Sequence, residues 1–214
     1  MKAVDHLVYI VDDDERVREA LRELLASAGL ESRAFGSAAE YLRHQRPAIP
    51  GCLVLDVRLP DINGLDLQKE LATADHLPIV IITGHGDIPM SVRAMKAGAV
   101  DFLAKPFSDD AFLNAVRGGL EYDRKAALSR AQLAELKAKY ESLTTREKDV
   151  LPLIVAGLLN KQGASELGIS PITFQIHRSN VMRKMKTHSV ADLVRIAARL
   201  DIPVPGQRAE ALKS

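Results

Sequence analysis

Cysteine is nearly absent from this chain of 214 residues, where Cys52 stands alone. A disulfide scaffold is therefore excluded, and the place of Cys52 in the apolar run Cys52-Leu53-Val54-Leu55 predicts a buried thiol. No apolar stretch is long enough to span a bilayer and no secretory leader is recognisable, so the cytoplasm is the expected location, with no membrane partner. A phosphate-cradling glycine-rich loop is missing as well, so nothing looks built to hold a nucleotide. The six histidines are scattered, without metal-ligand spacing. Strong net charge is also lacking, the formal value being +1, but that balance hides an asymmetry. Acidic residues crowd the early loops, whereas Arg178, Arg183, Lys184, Lys186, Arg195 and Arg199 crowd the end against Asp192 alone. Such a split suggests an acidic site in one half and a polyanion-binding surface in the other. An apolar content of 47% describes an ordinary folded protein, long enough for two modest domains.

What the chain does contain is an alternation. Residues 6–11 (HLVYIV) form a β-branched run that ends in Asp12-Asp13-Asp14, which reads as a buried strand opening into an acidic loop. Residues 15–28 carry Val17, Leu21, Leu24, Leu25 and Ala28 at helical spacing, and Gly29 follows as a stop. Residues 31–35 make a weak second strand, after which Ser37 caps a helix with Glu40 in the capping-box position. A third strand covers residues 52–56 and ends on Asp56; residues 65–72 return to helical spacing. Residues 78–82 (PIVII) are a wholly apolar fourth strand reaching Thr83, 88–97 are helical, and 100–104 make a fifth strand running into Lys105-Pro106. Each parallel crossover needs a helix, so this order predicts an α/β domain with a doubly wound parallel sheet in the order 2-1-3-4-5. Its crevice lies at the ends of strands 1 and 3.

Those ends carry Asp12, Asp13 and Asp56, and the same rim receives Thr83 and Lys105. Clustered carboxylates repel one another unless a cation neutralises them, and Mg2+ suits an all-oxygen site that meets phosphate. With no nucleotide loop, the remaining use is covalent. Asp56 would act as a nucleophile that takes a phosphoryl group, with the Lys105 ammonium offsetting charge and the Thr83 hydroxyl bonding an oxygen. Taken singly these residues have plainer readings: Asp13 or Asp14 as a helix N-cap, Thr83 as a turn residue, Phe102 as core. The set of five in order carries the argument.

That set, Asp12-Asp13, Asp56, Thr83 and Lys105-Pro106, resembles the receiver domain of two-component response regulators, the fold of CheY. Residues 82–107 (ITGHGDIPMSVRAMKAGAVDFLAKPF) are especially similar to the FixJ branch of the NarL/FixJ family. The resemblance implies that Asp56 is the phosphoacceptor for a sensor histidine kinase. It implies that Asp12, Asp13 and Asp56 bind Mg2+ with the Arg58 backbone carbonyl, and that Thr83 and Lys105 contact the phosphoryl group. Phe102 would be the aromatic switch that turns inward with Thr83, and Lys105-Pro106 would be cis.

Beyond residue 111 the chain runs to about 143 without proline and is dense in helix formers. Leu133, Leu136, Tyr140 and Leu143 suggest either a short coiled-coil seam or a solvated linker, with Gly118-Gly119 as a weak point. Thr144 and Glu147 form a capping box before Val150, Leu151, Ile154, Val155 and Leu158. Residues 160–167 are a short helix stopped by Gly168, and Ser170-Pro171 opens a longer basic helix with apolar Ile172, Ile176, Val181 and Met185. Ser189 begins a fourth helix. A short helix, a glycine turn and a basic helix make a helix-turn-helix.

LTTREKDVL, GLLNK and IHRSNVMRKM resemble the LuxR-type DNA-binding domain of the same family. The resemblance places Gln175, Ile176 and Ser179 at base edges, and Lys161, Thr173, His177, Arg178 and Lys184 at phosphates. It departs from the family at Gly163, where an apolar residue usually packs, at Pro152 in mid-helix, and at Ile172 near the start of the recognition helix. The expected organisation is a receiver (1–121), a helical linker (122–142), a LuxR-type domain (143–205) and a flexible tail (206–214). The expected function is a transcription regulator, not an enzyme beyond accepting phosphate and losing it to water. Phosphorylation would drive homodimerisation on double-stranded DNA and contact with RNA polymerase. The alternative is a phosphotransfer intermediate whose C-terminal helices bind protein.

Overall fold

The computed structural model describes residues 5–71, 77–203 and 205. The chain divides into two compact units, Met1–Ala127 and Leu128–Ser214.

In the first unit five parallel strands form one sheet in the order β2-β1-β3-β4-β5. They are β1 (Leu7–Val11), β2 (Ser32–Phe35), β3 (Gly51–Asp56), β4 (Ile79–Thr83) and β5 (Asp101–Ala104). The helices between them are α1 (Glu15–Ser27), α2 (Ala38–Arg43), α3 (Gly64–Leu71) and α4 (Ile88–Lys96). The alternation predicted this fold, and each boundary falls close to its expected place; Ala72, the expected end of α3, lies outside the described residues. Every residue of β1, β3 and β4 is buried, as expected of strands covered on both faces. Tyr9, Leu53, Leu55 and Ile81 point to a core shared with Tyr41, Leu67 and Ala94, so α2, α3 and α4 cover that face. Val8, Ile10, Val54 and Ile82 point the other way, against Leu21 and Leu25 of α1 and Phe112 and Val116 of α5 (Asp109–Glu141).

Caps account for the short helices. Asp14 caps α1 by accepting from Arg16 N at 2.9 Å, so the ordinary reading holds for that acid. Ser37 caps α2, but the expected capping box is only half made. Glu40 accepts from Gly36 N at 2.8 Å, one residue earlier than a box requires, while Asp61 reaches across to accept from Ala39 N at 2.8 Å.

Helix α5 runs from Asp109 to Glu141, and the weak point expected at Gly118-Gly119 is not a break. Gly119 is there for space: a Cβ at that position would lie 2.5 Å from Cys52 Sγ. Cys52 is fully buried, and burial with the nearby Asp123 carboxylate pushes its thiol pKa up to about 12. One turn further, buried Asp123 accepts from Gly51 N at 2.9 Å and ties α5 to the start of β3. After Asp123 no residue of α5 is buried.

The second unit holds α6 (Thr145–Val155), α7 (Asn160–Leu167), α8 (Pro171–Lys184) and α9 (Val190–Arg199). The Thr144–Glu147 capping box forms as predicted. Pro152 does not break α6, and its carbonyl still accepts from Ala156 N at 2.9 Å. A proline removes one amide donor, and this helix tolerates the loss because Val150, Leu151, Leu153 and Ile154 are buried around it. Gly168 ends α7 at φ 64°, the left-handed conformation that favours glycine.

Packing accounts for the departure from the family at Gly163. The Phe174 ring, fully buried on α8, occupies the space that a larger residue at 163 would fill; a Cβ there would lie 2.3 Å from the ring. Ile172 and Ile176 are exposed, and Phe174 with Val181 forms the inner face of α8. Of the predicted stripe, Leu133, Leu136 and Tyr140 are half-buried and Leu143 is buried; Leu143 lies in the helical core and Tyr140 packs against it. Residues 206–214, read as a tail, lie outside the described residues. No helix among the described residues is long and apolar enough to cross a membrane.

Candidate functional site

The register of the sheet builds the first site. Val11 pairs with Leu55, Asp56 with Ile82, and Thr83 with Ala104. Asp12 therefore follows β1, Asp56 and Thr83 close β3 and β4, and Lys105 follows β5, all at one edge. In-register parallel strands leave their C-terminal ends together, so four residues distant in sequence meet.

They are deeply buried for polar groups, with Asp12 and Thr83 1% exposed and Asp56 4%. Lys105 Nζ donates to Asp12 Oδ2 at 2.6 Å and to Asp56 Oδ1 at 2.8 Å. Asp12 Oδ1 accepts from Asp14 N at 2.9 Å, and Asp56 Oδ2 accepts from Arg58 N at 2.5 Å. Arg18 Nη1 donates to the Asp12 carbonyl at 2.8 Å, a contact that spacing alone did not indicate. Burial raises the Asp12 pKa above the ordinary value even though Lys105 and the Asp14 amide oppose it. Burial works against the Lys105 charge, but its bonds to the two carboxylates prevail and hold its pKa above the usual lysine value. Two carboxylates thus share one ammonium in a poorly solvated pocket.

Asp13 is not drawn into this cluster. It stands exposed on the loop, and no group of three or more His, Cys, Asp or Glu side chains among the described residues is gathered as a metal site. The Lys105 ammonium lies between Asp12 and Asp56 and is bonded to both. The donor chemistry still fits a hard dication, since every donor is a carboxylate or carbonyl oxygen and two buried carboxylates exceed one lysine in charge.

Thr83 Oγ1 accepts from His85 N at 3.2 Å, which satisfies the plain turn reading. The half-buried Phe102 packs on the sheet core, and its ring lies 3.0 Å from where a Cβ at Gly86 would stand. The Lys105-Pro106 peptide is cis, as the sequence resemblance implied. Gly64 allows the backbone to pass Asp56, since a Cβ there would lie 2.2 Å from the Asp56 carbonyl oxygen.

The second site is the outer face of α8. Gln175, Ile176 and Ser179 are all exposed. Thr173 is half-buried, its hydroxyl 2.9 Å from that of the N-cap Ser170. His177 is half-buried, and Lys161 is exposed on α7. Arg178 Nη1 donates to the Leu158 carbonyl at 3.4 Å, a long bond that leaves most of the guanidinium's donors uncommitted.

Lys184 departs from its expected role as a phosphate contact. Its Nζ donates to Glu147 Oε2 at 2.6 Å and to the Ser142 carbonyl at 3.2 Å, so its charge is spent on fastening α8 to the start of α6. Burial acts to raise the Glu147 pKa, but the Lys184 ammonium and the Thr144 donors outweigh it and bring it below the ordinary value. Sequence reasoning saw Glu147 as a capping residue and missed its partner 37 residues away, for which no periodic signal exists.

A parallel sheet with an acid–lysine rim, followed by a helix-turn-helix, defines a class of regulator, and the comparisons agree. Residues 8–117 match the family described as "Response regulator receiver domain" and residues 141–197 match "Bacterial regulatory proteins, luxR family". The chain belongs to the response regulators that join these two domains, and it is a transcriptional two-component response regulator. Nodulation protein W of Bradyrhizobium diazoefficiens is 52% identical, over 92% of this chain and 87% of that protein. Transcriptional regulatory protein FixJ of Rhizobium meliloti is 42% identical, over 90% of this chain and 95% of its own. Among solved structures, response regulator StyR is 48% identical, covers 91% of this chain and 99% of its own, and superposes with a TM-score of 0.82.

Proposed function

We propose that Asp56 is the phosphoacceptor through which a sensor histidine kinase controls DNA binding by α8. The observation that carries this is the strand register that brings Asp12, Asp56, Thr83 and Lys105 to one sheet edge, with one ammonium bonded to both carboxylates. An Asp56 carboxylate oxygen would attack phosphorus of a phosphohistidine; the P–O bond forms as the P–N bond breaks, and the imidazole leaves to regain a proton. Lys105 is placed to follow the new charge from carboxylate to phosphoryl oxygen, and the Thr83 hydroxyl is close enough to the same edge to donate to it. Asp12, Asp13, Asp56 and the Arg58 carbonyl would hold Mg2+, which when bound neutralises phosphoryl oxygens. Asp13 must turn inward to join them. Acceptance of the phosphoryl group and its loss to water are the only chemistry assigned.

The phosphoryl group adds about one unit of charge to the rim, which biases any element with two packings. Thr83 and Phe102 supply that element: the ring abuts Gly86 beside Thr83, and a move of Thr83 toward the phosphoryl group opens room for it. Homodimerisation then presents two copies of α8 to a two-fold site in double-stranded DNA, and RNA polymerase is recruited or blocked there. In α8, Gln175, Ile176 and Ser179 face bases, while Thr173, His177 and Arg178, with Lys161 of α7, contact phosphates. We assign residues 1–121 to the receiver, 122–142 to a linker and 143–205 to the DNA-binding domain of a cytoplasmic protein.

Intact-mass measurement with a small-molecule phosphoryl donor tests the acceptor. The wild type gains one phosphoryl group in Mg2+, the gain is lost on chelation, and Asp56→Asn gains none. A phosphorylated Asp56→Asn variant would move the acceptor elsewhere.

A further inference from the structure

A DNA-binding helix that packs one face on its domain is expected to carry polar side chains on the other. Helix α8 does not. Ile172 is 73% exposed and Ile176 56%, although Phe174 and Val181 already supply its buried face. At about 100° per residue, Ile172, Gln175, Ile176 and Ser179 fall within about a 100° arc, opposite Phe174 and Val181. Arg183 lies on the same arc and is exposed, its guanidinium 3.4 Å from Asn180 Oδ1. The outer face of α8 is thus a mixed strip: two branched aliphatic side chains, an amide, a hydroxyl and a cation.

Such a strip can distinguish bases only in part by hydrogen bonding, since isoleucine offers no donor or acceptor. The one apolar group that a base pair presents in the major groove is the 5-methyl of thymine. Resting on the assignment of α8 as the recognition helix, we infer that Ile172 and Ile176 read thymine methyl groups, so that the preferred half-site carries thymines at two positions on the path of α8. Gln175, at the edge of the same arc, suits an adenine, which a bidentate amide can read at N6 and N7. Ile172 therefore adds a specificity contact at a place where the family resemblance had implied only a departure from the usual polar residue. The strip also explains why α8 can hold exposed isoleucines without a protein partner: each is covered when the helix enters the groove.

The test uses the full chain with a small-molecule phosphoryl donor and Mg2+. Duplexes are selected from a random pool, and each thymine of the selected half-site is then replaced singly by uracil, which removes only the methyl group. Two positions are expected to lose affinity by about three- to fivefold each. Ile172→Ser removes the sensitivity at one of them and Ile176→Ser at the other, whereas Ile172→Val retains it. Thermal melting should be unchanged in all three variants, because both side chains are exposed. Uracil duplexes that bind as tightly as the parent overturn the inference and leave the recognition helix standing. Sensitivity that survives both serine substitutions overturns it as well. A pool that yields no preferred sequence overturns both the inference and the assignment of α8 on which it rests.

Discussion

The two halves of this protein put buried charge to opposite uses. At the receiver rim, Asp12 and Asp56 are buried with Lys105 in a cluster whose carboxylates outnumber its cation, and the imbalance is what leaves the site ready to accept another cation or a transferred group. In the helical unit, buried Glu147 meets Lys184 one to one, and the Thr144 backbone N–H also donates to its carboxylate. That pair is closed and serves the fold, while the residues of α8 proposed to face bases lie on the exposed side of the same helix. Burial of an ionisable group therefore does not mark function by itself. The charge left over after pairing is the better guide.

The comparison can be broken at either end. The largest effect is expected for Lys105→Met, because its ammonium is bonded to both rim carboxylates. Phosphoryl transfer from a small-molecule donor, followed by intact mass, should slow by about two orders of magnitude. A rate within about threefold of the wild type would remove Lys105 from the chemistry.

Next comes the packing of Gly163 on Phe174. Gly163→Ile puts branched carbons where the ring stands, and should destabilise the helical unit by about 3 kcal/mol on denaturant titration. Phe174→Ala alone leaves a cavity and costs a similar amount. Combined, the two substitutions exchange one filling for the other and should recover about 2 kcal/mol, the coupling typical of residues in contact. Strict additivity would mean that the two positions do not share one space.

The smallest effect is the pH dependence of the closed pair. The Glu147 pKa is lowered in the folded state, so its contribution is fully present above the ordinary glutamate value of about 4.3 and is lost as pH falls through the folded value. Thermal melts of the helical transition at descending pH should show this loss in the wild type. Glu147→Gln, destabilised by about 2 kcal/mol at neutral pH, should show less of it. An equally steep acid decline in both proteins would place the responsible carboxylate elsewhere.

Most of the architecture was readable from the chain because its signals are local. Apolar runs that end in polar residues mark β1, β3 and β4, and caps such as Asp14, Ser37, Thr144 and Ser170 announce helix starts within three residues of the bonds they make. The convergence of Asp12, Asp56, Thr83 and Lys105 was legible one level up, since strand order alone sends those ends to one edge. What sequence could not show depends on space between distant residues. Gly163 read only as a departure from the family because its neighbour Phe174 could not be seen, and Gly118-Gly119 read as a weak point because Cys52 could not. Lys184 looked free for the same reason, its partner being on another helix. The exposure of Ile172 was not legible for an equally physical cause: apolar character alone predicts burial in the monomer.

The account's central claim is that charge placed on Asp56 governs what α8 does. Its most direct test is the affinity of the full chain for a selected duplex, measured by footprinting with and without a phosphoryl donor, with phosphorylation verified by mass. The wild type should gain affinity on phosphorylation by at least about tenfold, in the ordinary range for coupled sites, while Asp56→Asn stays at the unphosphorylated value in both conditions. Equal affinity of the phosphorylated wild type and Asp56→Asn would contradict the claim, and would leave the receiver rim and the recognition helix as two sites without a connection.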